Sequence, residues 1–357
     1  MKDSQKQRPS DDLDAAAAAI REGRLVVFPT ETVYGLGADA LNAEAVASIF
    51  AAKGRPADNP LIVHVAGVEQ ATPLVRELPD VARKLFEEFS PGPLTLVLPA
   101  SERVPRVVTA GLATVAIRVP AHDLARELLL ACRRPIAAPS ANRSGEPSPT
   151  TVEMARRSLG ERVSVYLDGG PCRVGLESTV ISVDTGGVVM LRPGAIAVDD
   201  VRRVLPGVAV EIASGGGDRP ASPGMKHRHY QPRARVVAVT EDVSVENLRA
   251  ALAACGAHGR GDERTKCMLM GMEGPVTGVA GALTRLGEFA VASVHAPGSL
   301  ERYARGLYAW FHEADEARMD AIVAVLPPAD GMGTAIRDRL VRSSSIVLDE
   351  SGRERLS

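Results

Sequence analysis

Between residues 94 and 192 the chain runs through five apolar strand-like stretches: LTLVL (94–98), VAIRV (115–119), VSVYL (163–167), STVISV (178–183) and VVMLR (188–192). No helical pattern separates the first two, and none separates the last three. A doubly wound parallel sheet needs a crossover, usually a helix, between successive parallel strands. This half of the chain is therefore predicted to form a mixed sheet with helices packed against it. LVVF (25–28) and LIVHV (61–65) add two earlier strands, and PIAAPS (135–140) contains another. Helices are predicted over 11–22, capped by Ser10 and stopped at Gly23, over HDLARELLLACRR, and over TVEMARRSLG with Thr150 or Thr151 as its cap.

The chain has 357 residues, enough for two domains, and 45% hydrophobic residues supply a core for each. The segment GGDRPASPGMKHRHYQPRAR (216–235), rich in Gly and Pro and with five basic side chains against one acidic, is the candidate linker. Beyond it, RVVAVT, a helix from Val245, KCMLMGM, FAVASV, a long helix from Leu300, AIVAVLPP and a helix from Thr334 indicate a small α/β domain. The predicted organisation is a disordered 1–10, a catalytic domain over 11–214, a linker or lid over 215–234, and a second domain over 235–357.

Net charge is only -2, so no basic field points to nucleic acid. No apolar run approaches the roughly 18 residues that span a bilayer, and the expected location is the cytoplasm. Cys132, Cys172, Cys255 and Cys267 are too scattered for a disulfide framework or a zinc site and read as ordinary, mostly buried thiols.

Gly35-Leu36-Gly37-Ala38-Asp39-Ala40 fits the G-x-G-x-x-A form of the dinucleotide fingerprint. That fingerprint needs a strand running directly into the first glycine and a helix opening at once. Here Pro29–Tyr34 intervene, and the ribose-binding acid expected downstream is replaced by a stretch containing Lys53 and Arg55. The dinucleotide reading is set aside.

Four other stretches could carry chemistry. Lys53 and Arg55, with Asn59, put two positive charges and an amide in a turn rich in Gly and Pro, which suits either a polyphosphate or a solvated surface loop. In TVAIRVP, Thr114, Ala116 and Arg118 share one strand face. Thr114 and Arg118 are roughly 13 Å apart, the two ends of an elongated ligand if that face is not simply solvent-exposed. Ser140, Asn142 and Ser148 in PSANRSGEPSPTT, and Ser178 and Thr179 in GLESTV, can donate to phosphate or merely shape turns. His64 in LIVHV is isolated, with neither metal-ligand spacing nor a G-x-S-x-G partner. Nothing suggests a covalent nucleophile.

Taken in order, PTETVYGLGADA, KGRPADNPLIVHV, PGPLTLVL, VAIRVP, PSANRSGEPSPTT, LDGG, ESTVI and LRPGAI resemble the YrdC-like threonylcarbamoyl-AMP synthases. SPGMKHRHYQP followed by a further α/β domain resembles their long, two-domain form. The resemblance implies an α/β fold: an N-terminal twisted mixed sheet around a concave, positively charged cavity, then a smaller Rossmann-like domain. It implies the conversion of L-threonine, bicarbonate or CO2, and ATP with Mg2+ into threonylcarbamoyl-AMP and pyrophosphate. That product would feed threonylcarbamoyladenosine synthesis beside the tRNA anticodon, completed by a separate transferase. By motif, Thr32, His64, Arg118, Ala138 and Ser178 would hold threonine. Lys53, Arg55, Asn59, Thr114, Ser140, Ser148, Arg192 and Tyr230 would hold ATP, with Lys53 and Arg55 also catalytic and no protein metal ligands. His227 stands where the family would have an aromatic residue.

Two rival readings remain open at this point. One is a YrdC-like module that binds RNA directly, against which stand 3% aromatics and a near-neutral charge. The other is a carbamoyl-adenylate-forming enzyme with another acceptor, as in hydrogenase maturation, although the C-x-x-C motifs of that protein are missing. The basic linker, with Lys226, His227, Arg228, His229 and Tyr230, is expected to close over ATP as a lid.

Overall fold

A computed structural model describes residues 9–184, 187–213, 230–256, 264–348 and 354–355. The chain divides into two compact units. The first comprises residues 1–144, 148–173 and 177–227, and the second 145–147, 174–176 and 228–357.

The first unit holds β1 (Val26–Phe28), β2 (Gly35–Asp39), β3 (Ile62–His64), β4 (Leu94–Pro99), β5 (Thr114–Arg118), β6 (Ile136–Ala138), β7 (Val165–Tyr166), β8 (Thr179–Asp184), β9 (Gly187–Arg192) and β10 (Val210–Ile212). They form one sheet in the order β10-β9-β8-β4-β5-β3-β6-β2-β1-β7. Its pairings are mixed, as the missing crossover helices require: β4–β5 and β8–β9 are antiparallel, whereas β3–β5 and β4–β8 are parallel. Val27, Leu36, Val63, Leu96, Ile117 and Ile181 are all buried in its main apolar cluster.

The would-be fingerprint is a strand. Residues 35–39 pair with β1 on one side and β6 on the other, so no helix opens at Gly35. Gly37 is needed for close packing rather than for a phosphate. A Cβ there would lie 2.6 Å from Ile136 Cγ2 and 2.8 Å from Phe28 Cε1.

Local signals fix the flanking helices. Asn42 caps helix Ala43–Lys53 by accepting from the amides of Glu44 and Ala45, and Gly54, at φ 62°, ends it in the left-handed conformation. Thr151 caps helix Val152–Leu159. The first helix, Pro9–Arg21, begins and ends within two residues of the expected limits.

The second unit holds β11 (Arg235–Val239), β12 (Thr265–Met270), β13 (Phe289–His295), β14 (Ala321–Val325), β15 (Ile346–Leu348) and β16 (Glu354–Arg355), in the order β13-β12-β14-β11-β15-β16. All pairings are parallel except β15–β16. This is the open parallel α/β sheet expected of a Rossmann-like domain, with its fourth strand, β14, lying between the first two. Helix Glu273–Leu286 has no counterpart in the sequence reading. Cys132, Cys172 and Cys267 are buried, Cys255 is half-buried, and none of the four is in a disulfide. No helix among the described residues is long and apolar enough to cross a membrane.

Candidate active site

Parallel pairing of β3 with β5 sets His64 opposite Arg118, at the C-terminal ends of two strands in the middle of the sheet. Arg118 is 3% exposed, which removes the solvent-facing alternative. Its Nη1 donates to Thr32 Oγ1 at 2.8 Å, and its Nε reaches the Gly92 carbonyl at 3.4 Å. Thr32 comes from the loop between β1 and β2, where Thr30 acts as the pin. The Thr30 hydroxyl accepts from the amides of Thr32 and Val33 at 3.2 Å each and lies 2.9 Å from the Thr32 hydroxyl.

The same loop brings a residue the sequence reading missed. Glu31, 3% exposed, places a carboxylate oxygen 2.8 Å from Arg118 Nη2. The charges meet without hydrogen-bond alignment, so among the described residues neither Glu31 oxygen nor Arg118 Nη2 has a hydrogen-bond partner. An acid between two threonines in a stretch otherwise bound for the core was the available signal.

His64 is a neutral imidazole. Burial, and then the charge of Arg118, push its pKa down to about 3 from 6.5. Between those values the unfolded chain binds a proton that the folded chain refuses. Stability therefore falls as pH drops through this window and is unaffected by this group above 6.5. We expect urea unfolding of the first unit to lose up to about 1.4 kcal/mol per pH unit below 6.5, a slope that His64→Gln should remove. An unchanged slope in that variant would show that His64 does not carry it.

A second cluster surrounds the start of β8. The Ser178 hydroxyl is 2.7 Å from that of Thr95. Arg192, buried at the end of β9, folds back onto the Ser178 carbonyl with Nε at 3.1 Å and Nη2 at 3.0 Å, and onto its hydroxyl at 3.2 Å. Ser148 donates to Glu177 Oε1 at 2.6 Å. Gly194 lies directly against this backbone. A Cβ there would be 2.3 Å from the Thr179 nitrogen and 2.6 Å from the Ser178 carbonyl carbon. Backbone on both sides cannot yield as a flexible side chain would. Gly194→Ala is therefore expected to displace Ser178 and to destabilise the first unit by about 1–3 kcal/mol. Calorimetry checks this, and a wild-type melting temperature would refute it.

The third cluster is cationic. Lys53 is buried, and its ammonium donates to the carbonyls of Ser140 and Asn142. Arg55 is half-buried, with Nη2 3.4 Å from the Asn59 carbonyl and 3.2 Å from that of Pro60. Ala138 ends β6 opposite Ile62, and half-buried Thr114 opens β5 at the end away from Arg118. Tyr230 belongs to the second unit, with φ 68° and its ring centroid 5.4 Å from that of Tyr308. Lys226, His227, Arg228 and His229, on which the lid expectation rests, lie outside the described residues.

A family model described as telomere recombination matches residues 18–194, and one described as threonylcarbamoyl-AMP synthase, C-terminal domain, matches 196–345. The chain is 43% identical over 332 residues to the threonylcarbamoyl-AMP synthase of Pyrococcus abyssi, covering 92% of this chain and 93% of the relative. It is 42% identical over 337 residues to the Bacillus subtilis protein of the same name, covering 92% of each. Its structure matches that of P. abyssi Sua5 complexed with L-threonine, with a TM-score of 0.82, 38% identity and 96% coverage of both chains. The mixed sheet with its buried arginine, followed by a parallel α/β unit, is thus the architecture of a two-domain YrdC-like nucleotidyltransferase. The chain belongs to the threonylcarbamoyl-AMP synthase family, in its long form.

Proposed function

We propose that this protein is an L-threonylcarbamoyladenylate synthase. The observation that carries the reading is the buried guanidinium of Arg118, held beside the Thr32 hydroxyl and a neutral His64. It is supported by likeness to a protein crystallised with L-threonine. A guanidinium fork matches the amino-acid carboxylate bidentately, and the small hydroxyls of Thr32 and Ser178 suit the polar side chain. The threonine amine, once deprotonated, adds to CO2. The carbamate oxygen then attacks the α-phosphorus of ATP, forming the mixed anhydride and releasing pyrophosphate. Bicarbonate as the carbon source would release water in addition.

No covalent enzyme intermediate is required. The chain contributes alignment of carbamate and phosphate and neutralisation of oxygen charge, which we assign to Lys53, Arg55 and Arg192. Magnesium is assigned to the nucleotide phosphates. The buried acids Glu31, Glu177 and Asp39 face Arg118, Ser148 and Arg134 respectively, and Mg2+ is commonly held by substrate phosphates with few protein ligands. The product is assigned to threonylcarbamoyladenosine formation on tRNA through a separate transferase. The test is incubation of the protein with ATP, magnesium, bicarbonate and each amino acid in turn. Threonine-dependent pyrophosphate and a carbamoyl-adenylate are expected. Pyrophosphate without amino-acid dependence, or salt-sensitive RNA binding without ATP consumption, would overturn the reading.

A further inference from the structure

Burying an ion pair is a poor way to stabilise a fold, since well-packed apolar residues of the same volume do as well or better. Arg118 and Glu31 are nevertheless both buried, and they face each other with three polar atoms unsatisfied: Arg118 Nη2 and both Glu31 oxygens. Thr32 takes one guanidinium nitrogen, and among the described residues none donates to the Glu31 carboxylate. A buried carboxylate without a hydrogen bond is costly to keep, so its presence calls for a ligand that supplies donors.

The missing donors match the substrate of the proposed function, on which this inference rests. An amino acid presents a carboxylate and an ammonium on one carbon. The first pairs with a guanidinium. The second, with three donors and no acceptor, is met best by a group that accepts and carries the opposite charge. Glu31 is such a group, and it is in contact with the guanidinium that would take the carboxylate. The titratable groups beside the pair offer no second negative charge. His64 is neutral and feels the repulsion of Arg118, and Cys172, which feels the charge of Glu31, remains a thiol because burial pushes its pKa up to about 12. The Thr30 hydroxyl is engaged with the loop backbone.

We propose that Glu31 is the seat of the α-ammonium group, and that the Arg118–Glu31 pair opens to take the zwitterion between its two charges. The pair is neutral overall and so is its ligand, so no net charge is added to the buried site. Glu31 then acts as a specificity residue. An α-hydroxy acid of the same shape would satisfy Arg118 but leave Glu31 short of donors, and a buried polar group left unpaired discriminates strongly. Holding the ammonium would also fix the nitrogen that must later attack CO2.

The test is calorimetric titration, without ATP, of the full chain and of Glu31→Gln with L-threonine and with 2,3-dihydroxybutanoate, its α-hydroxy analogue. The expected result is that Glu31→Gln binds threonine about ten- to a hundredfold more weakly, the scale of a lost charged hydrogen bond. It should bind the analogue as well as wild type or better, so that the preference collapses. Equal loss for both ligands would mean a merely structural role, and unchanged threonine affinity would place the ammonium elsewhere; either overturns the inference. Glu31→Asp guards against a folding defect in the first variant. It keeps the charge and should keep the preference for the ammonium ligand, and loss of that preference would count against the proposal. If wild-type protein bound no threonine, the functional reading would fall and the inference with it. Threonine binding by wild type with no effect of Glu31→Gln would sink the inference alone.

Discussion

Arg118→Ala is expected to lower threonine-dependent pyrophosphate release by on the order of a hundredfold or more while leaving ATP affinity largely intact. The activity loss follows from the role proposed for Arg118, as bidentate partner of the substrate carboxylate. A second effect follows from Glu31. Without Arg118 its carboxylate is a buried charge with no counter-ion, and breaking a buried pair from one side costs roughly 3–5 kcal/mol. The variant should therefore melt well below wild type, and low activity alone would not distinguish a lost contact from a lost fold. The double variant Arg118→Met, Glu31→Gln separates the two. It removes both charges and should recover most of the stability while remaining unable to use threonine. Recovery of activity together with stability in the double variant, or normal threonine dependence in Arg118→Ala, would take Arg118 out of the site.

The first sheet was legible wherever apolar strand-like stretches stood between turn residues, which covers β1 and β3 to β9. It was illegible at β2, which is built from small residues, and at the three-residue edge strand β10. Gly35–Asp39 looks like a glycine turn because Gly37 leaves no room for a Cβ between Phe28 and Ile136, and Gly35 packs tightly on the Phe28 ring. Helix Glu273–Leu286 escaped notice for a related reason: three glycines and a proline mask its pattern, although Pro275 lies in the first turn, where a missing amide does little harm. In the site, the alternation of VAIRV placed Arg118 away from Ile117, but alternation alone could not tell a solvent face from a polar interior. That distinction needed the β1–β2 loop, which brings Thr32 and Glu31 across more than eighty residues of sequence. Arg192 shows the same limit. Its position at the end of a strand was readable, but its grip on Ser178, fourteen residues away through the β8–β9 antiparallel pair, was not.

Lys53 provides the second large expected effect, because its ammonium has two possible employers. It is the last residue of a helix that Gly54 terminates, so its side chain emerges where the chain turns. From there it donates to the carbonyls of Ser140 and Asn142, while its own carbonyl accepts from the Ser144 amide at 2.9 Å. Side chain and backbone together thus clamp residues 140–144, the loop that carries Ser140. Carbonyls are neutral acceptors and phosphate oxygens are charged ones, so an ammonium already positioned here gains by turning to a phosphate. Lys53→Ala should then reduce turnover by about a hundredfold or more, as expected when one preorganised charge is removed from a phosphoryl-type transition state. It should also cost about 1–3 kcal/mol in stability, because buried carbonyls lose their donor. Arg55→Ala is the control. Arg55 is partly exposed and two residues beyond the clamp, so its loss should weaken ATP use with little change in melting temperature. Measured side by side, the pair assigns Lys53 its work. A destabilised Lys53→Ala that still turned over at the wild-type rate would make the lysine a clamp for the 140–144 loop and leave phosphate neutralisation to Arg55 and Arg192.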